Sequence, residues 1–180
     1  MDSPSLESLK YPIGGYQKPA QFDYASKTRW MAQLSTLPEE MEKAVAGLNE
    51  DQLDEPYRPE GWTIREVIHH VPDSHLNGYI RFKWALTEQD PRIKPYFEDR
   101  WAALDDYQDT PIEVSLQLLK SLHYRWVILM KSLSAEDWTF QYHHPEFEEP
   151  ISLDEALAIY AWHGQHHLAH ITELRKRRQW

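Results

Sequence analysis

Three Ser/Thr-x-x-Glu boxes constrain this chain most. Thr63 with Glu66, Thr110 with Glu113 and Ser152 with Glu155 each set a hydroxyl three residues ahead of a carboxylate. Each pair stands just before a long run of apolar residues recurring every three or four positions. In such a box the hydroxyl accepts the N–H three residues on and the carboxylate reaches back. Two of the donors that a helix start leaves unpaired are thereby satisfied. Repeated three times, the signature predicts long helices.

Four segments carry the helix period. The first spans about 24–48, with Trp30, Leu34, Leu37, Met41, Val45 and Leu48 in step; Pro38 inside it is expected to kink or divide the helix. The second spans about 64–87, with Pro72 interrupting it two turns in. The third spans about 111–133, with Thr110 as N-cap, Pro111 in the first helical position and a stripe of Val114, Leu118, Leu122, Trp126, Leu129 and Leu133. The fourth spans about 153–178. Residues 1–22, with Tyr11-Pro12-Ile13-Gly14-Gly15-Tyr16, read as an extended arm, and 23–180 as one domain. The connection after the second helix is expected to hold a short helix near Trp101. A small hairpin from Phe140-Gln141-Tyr142 and Pro150-Ile151, around His144-Pro145, is expected before the last helix. The expected fold is all-α, a four-helix bundle with long connections, an architecture that builds metal sites from facing helices.

Composition narrows the function. A formal charge of −10 opposes nucleic acid, whose binding rests on neutralised phosphates, and an anionic membrane surface. The cluster Arg175-Lys176-Arg177-Arg178 ends the last helix, where it complements the helix dipole. No cysteine is present, so disulfides are excluded and any metal is held by nitrogen and oxygen. No apolar leader or membrane-length run appears, and a cytoplasmic protein is expected.

The last helix carries Trp162-His163-Gly164-Gln165-His166-His167-Leu168-Ala169-His170. His163 and His167, spaced i, i+4, share a face and can grip one ion. On a helical wheel all four histidines fall within one arc beside the apolar stripe. A third ligand is expected from the second helix, which offers His69, His70 and His75. His75 falls on the apolar line of Ile64, Ile68, Val71 and Phe82 and His70 does not. Pro72 breaks the phase between them, so spacing alone leaves the choice open.

Gly61-Trp62-Thr63-Ile64-Arg65-Glu66-Val67-Ile68-His69-His70, Asp73-Ser74-His75, Tyr79-Ile80-Arg81-Phe82-Lys83, Tyr11-Pro12-Ile13-Gly14 and the Trp162–Leu174 stretch together resemble the YfiT-like branch of the DinB superfamily, over nearly the whole chain. The resemblance implies a four-helix bundle with one divalent metal per subunit, zinc or nickel, held by His70, His163 and His167. It also implies a homodimer. A small residue is expected at Pro72, and Gly164 loosens the helix beside His163. His69 is expected to point outward or to support a ligand. His170 is expected to orient a ligand or meet substrate. His166 takes no assignment, and His123, His143 and His144 are read as ordinary.

Asp73, Ser74, Asn77 and Arg81 form a polar strip after His70. Arg81, with its planar fork, is the candidate for an anionic substrate group, with Asn77 beside it. Asp73 or His170 is the candidate general base. No nucleophile elbow, P-loop or dinucleotide fingerprint is present, so a metal must do the activating. Three readings follow. The resemblance implies hydrolysis of a small-molecule substrate by a metal-activated water, or transfer of a bacillithiol-like thiol as its metal-bound thiolate. The third is a non-catalytic metal-binding or interaction module.

Overall fold

The computed structural model describes residues 4–180. Eight α-helices lie among them: α1 Leu6–Lys10, α2 Tyr24–Val45, α3 Glu50–Leu53, α4 Ile64–Thr87, α5 Glu98–Ala102, α6 Asp106–Asp109, α7 Ile112–Lys131 and α8 Leu153–Arg178. The long ones, α2, α4, α7 and α8, form the four-helix bundle. α2 packs on α7 and α8, and α4 packs on the same two, so α2 and α4 are diagonal partners. The expected hairpin is present: β1 Gln141–Tyr142 pairs antiparallel with β2 Ile151–Ser152, with Tyr142 opposite Ile151. The short helix expected near Trp101 is α5. No helix among the described residues is long and apolar enough to cross a membrane.

The helix starts follow local chemistry in two of three places. Thr63 and Glu66 form both bonds of the box, at 3.1 and 2.7 Å. Ser152 accepts the Glu155 N–H at 3.2 Å, but the Glu155 carboxylate turns to Lys18 of the arm, 2.7 Å away. The Thr110 box does not form. Pro111 occupies the cap position of α7, no side chain caps it, and the helix begins at Ile112.

Pro38 and Pro72 do not divide their helices. Both α2 and α4 run through, each with its proline buried. One ladder bond is lost at each, and tertiary packing carries the helix past it. α2 ends at Val45, short of Leu48, where Gly47 takes φ 78°. The expected stripe of α7 is displaced in its first half: Val114 and Leu118 are exposed, while Ser115, Leu119 and His123 line the buried face.

The core falls into two clusters along the bundle. One is built on Trp126, with Phe82 edge-on at 5.2 Å and 82°, a pairing worth about 1 kcal/mol beyond its area. The other joins Leu37, Met41, Ile64, Ile68, Leu119 and Ile171. Within the expected arm, positions 1–3 lie outside the described residues and α1 is a short helix. Beyond it the Gly14 carbonyl accepts Trp162 Nε1–H at 3.2 Å, which ties the arm to α8.

Candidate metal centre

α4 and α8 pack side by side, and this brings His70 of α4 against His163 and His167, one turn apart in α8. One ring nitrogen from each lies within 4.8 Å of the others. His70 Nε2 and His163 Nε2 stand 3.2 Å apart. Two ligands each about 2.1 Å from a shared ion, at angles between octahedral and tetrahedral, stand roughly 3.0–3.4 Å apart, so this spacing suits a common ion.

The chemistry of the donors fits as well. Burial pushes the basicity of the His70 imidazole down to about 3, helped by neighbouring imidazoles. Burial likewise holds His163 and His167 well below the ordinary range, with the adjacent rings contributing. The rings are therefore neutral at physiological pH, the form that ligates a metal. His70 Nδ1 and His167 Nδ1 are buried without a hydrogen-bond partner.

Aromatic rings wall the cluster. Trp62 lies 4.4 Å from the His70 ring and stacks on His167 at 6.1 Å and 14°. Tyr57 stacks on His170 at 3.8 Å, and Trp162 on His166 at 4.6 Å. Tyr11 of the arm tilts over His166 at 5.8 Å. Together with Tyr96 these rings line an open cavity of about 550 Å³ beside the cluster. Lys10, Arg58, Glu60, Glu98 and Asp99 also line it.

The other expected site residues are placed as follows. His170 lines the cavity, with Nε2–H donated to the Lys10 carbonyl at 3.1 Å and its basicity pushed down to about 4 by burial. Asp73 does not line the cavity; its Oδ2 accepts the Tyr107 hydroxyl at 2.8 Å. Burial raises its carboxyl pKa, while the Tyr107 bond opposes the rise. Asn77 donates to the Asp73 carbonyl of its own helix at 2.9 Å. Arg81 is buried and donates to the Tyr160 hydroxyl at 2.9 Å. Neither lines the cavity. Ser74 does approach the cluster, with Oγ 3.4 Å from His163 Nε2.

His69 does not point outward. It is buried, with Nδ1 2.7 Å from Ser115 Oγ on α7. His143 pairs with Asp90 at the surface. His144, read as ordinary, is buried and accepts the Glu146 N–H at 3.3 Å. His123 is not ordinary: it is buried in the bundle centre beside His75, which in turn bonds His163. The sequence signal for His75 was its place on the apolar line of α4. His123 gave none by itself.

A model of the DinB superfamily matches residues 33–171. The chain belongs to the DinB superfamily. This DinB-superfamily protein is 50% identical over 175 residues to a Bacillus cereus protein provisionally named as a metal-dependent hydrolase, covering 97% of this chain and 100% of the relative. A Bacillus thuringiensis protein with the same provisional name matches equally. Among solved structures, YfiT from Bacillus subtilis, described as a probable metal-dependent hydrolase with an unusual four-helix bundle topology, superposes with a TM-score of 0.93 at 43% identity, covering 96% of this chain and 99% of that one. A mycothiol-dependent maleylpyruvate isomerase, 14% identical with a TM-score of 0.61, covers 82% of this chain and 63% of its own, and shares the fold.

Proposed function

We propose that this protein is a metal-dependent hydrolase of a small molecule, with one divalent transition ion, zinc or nickel, held by His70, His163 and His167. The observation that carries the reading is the convergence of three neutral imidazoles on the floor of an aromatic-walled cavity. Three protein ligands leave a coordination position free, the mark of a chemical site in contrast to a structural one. The hydrolase naming of relatives at 50% identity over the whole chain points the same way.

A bound ion there supplies Lewis acidity, which polarises a substrate carbonyl and acidifies a water. The chain's own residues do the rest. His70 from α4 and the α8 pair fix the position of the reacting centre between two rigid helices. Trp62, stacked on His167 and tilted over His70, and Tyr57, stacked on His170, hold these rings in place and keep water from their faces. Lys10, Arg58, Glu60, Glu98 and Asp99 offer charged groups to a polar substrate. Asp73 has no part in this reading, because its carboxylate faces Tyr107. Arg81 ties α4 to Tyr160 of α8, and Asn77 bonds back within α4.

The test is turnover of a panel of small esters and amides by zinc- or nickel-loaded and metal-stripped protein, beside an arm offering a low-molecular-weight thiol with an electrophile. Metal-dependent hydrolysis supports the proposal. Metal-dependent consumption of thiol without hydrolysis contradicts it in favour of thiol transfer, turnover that is equal with and without metal contradicts the metal's role, and no turnover in either arm contradicts the enzyme reading.

A further inference from the structure

Pro38 sits inside α2, four residues after Leu34. A helical N–H at position 38 would take the Leu34 carbonyl, and proline has none to give. The freed oxygen is met by His123 of α7, whose Nδ1 lies 2.5 Å away. From there a row of imidazoles crosses the bundle. His123 Nε2 stands 2.8 Å from His75 Nδ1 on α4, and His75 Nε2 stands 3.1 Å from His163 Nδ1 on α8. The His75 and His123 rings stack at 4.9 Å and 17°. Each of the four long helices supplies one member of the row.

The row has a direction. A carbonyl only accepts, so His123 Nδ1 must carry the hydrogen. A neutral imidazole has one N–H, so His123 Nε2 accepts, and its donor is His75 Nδ1–H. His75 Nε2 then accepts in turn, from His163 Nδ1–H. The remaining nitrogen, His163 Nε2, is left as an acceptor, facing His70 Nε2 at 3.2 Å with Ser74 Oγ at 3.4 Å. His75 and His123 are buried, and among the described residues no carboxylate bonds to either, so a charge on either ring would stand unpaired and out of water.

We propose that His75 and His123 are positioning residues that lock His163 in the tautomer able to ligate a metal, anchored on a carbonyl that Pro38 leaves free. The assignment rests on the metal reading of the three-histidine cluster. The lock presents His163 Nε2 deprotonated before any ion arrives and fixes the plane of its ring.

The experiment has two arms. In metal-free wild-type protein, long-range ¹⁵N–¹H correlation NMR of the imidazoles is expected to show His163 protonated on Nδ1 alone. In His123→Phe the ring volume stays but both nitrogens go. His75 Nδ1–H loses its acceptor, His75 shifts its proton to Nε2, and His163 is driven to the Nε2–H form. Zinc affinity, by chelator competition, is then expected to fall about 10- to 100-fold, the usual cost of losing a partner of a ligating histidine. His123→Gln, which keeps one acceptor and one donor, is expected to restore most of that loss. His163 protonated on Nε2 in the wild type would overturn the proposal, as would unchanged zinc affinity in folded His123→Phe. If that variant fails to fold, the wild-type spectrum decides alone. A wild type with the expected tautomer that binds no zinc would overturn the metal reading and the lock's role together, whereas zinc binding with the opposite tautomer would overturn the lock alone.

Discussion

Gly164 of α8 lies so close to Leu37 of α2 that a Cβ built on it would stand 2.4 Å from Leu37 Cδ2. Leu37 is buried on every side, and His75 Cε1 lies 3.4 Å from the same point, so neither can yield easily. The sequence suggested a residue that loosens the helix beside His163. In the structure α8 is unbroken there, and the glycine sets how near α2 approaches. Gly164→Ala gains about 1 kcal/mol of helix propensity but overpacks this contact at a cost of about 1–3 kcal/mol. Urea unfolding of the metal-free variant is expected to show a net loss of stability; a gain would contradict this packing.

Acid is expected to unfold the metal-free protein through its buried neutral histidines. His123 illustrates the sign. Burial lowers its basicity in the folded state to about 4, while the unfolded chain titrates near the ordinary imidazole value of about 6.5. Below that value the unfolded state binds more protons, so the contribution is intact above about pH 6.5 and is lost as pH falls toward 4. His123 alone accounts for roughly 2 kcal/mol lost between pH 7 and pH 5. His166 and His170 shift the same way. Urea midpoints across this range check it. The folded His123→Phe variant is expected to lose less stability over the same interval, and an identical pH slope would contradict the assignment.

Asp73→Asn keeps an acceptor for the Tyr107 hydroxyl, now 2.8 Å from Asp73 Oδ2. A neutral-partner hydrogen bond of this kind is worth about 1 kcal/mol, so stability is expected to change by no more than that. Metal content is expected to match wild type, because the carboxylate faces α6 and does not line the cavity. Loss of the metal in elemental analysis would place Asp73 in the centre after all.

What the sequence revealed depended on the reach of each interaction. Both bonds of the Thr63–Glu66 box lie within four residues, so the box was legible. The Thr110 box was not, because Pro111 takes the cap position itself. On α7 the apolar pattern misled because Ser115 and His123 are polar residues satisfied inside the bundle, by His69 and by His75 with Leu34. The i, i+4 spacing of His163 and His167 was visible in one helix. The choice between His70 and His75 was not, since α4 is buried toward both α7 and α8 and both histidines reach His163, His75 while also bonding His123 of α7. Pro38 looked like a helix breaker because its consequence, a free carbonyl, matters only once α7 is packed beside it.

Metal stoichiometry tests the central claim most directly. Protein without a histidine tag, loaded with zinc or nickel and passed through desalting, is expected to retain one ion per chain by elemental analysis. His70→Ala, His163→Ala and His167→Ala, each shown to be folded by circular dichroism, are each expected to retain almost none. A wild type that keeps no ion, or variants that keep as much as wild type, would contradict a shared centre built from these three imidazoles.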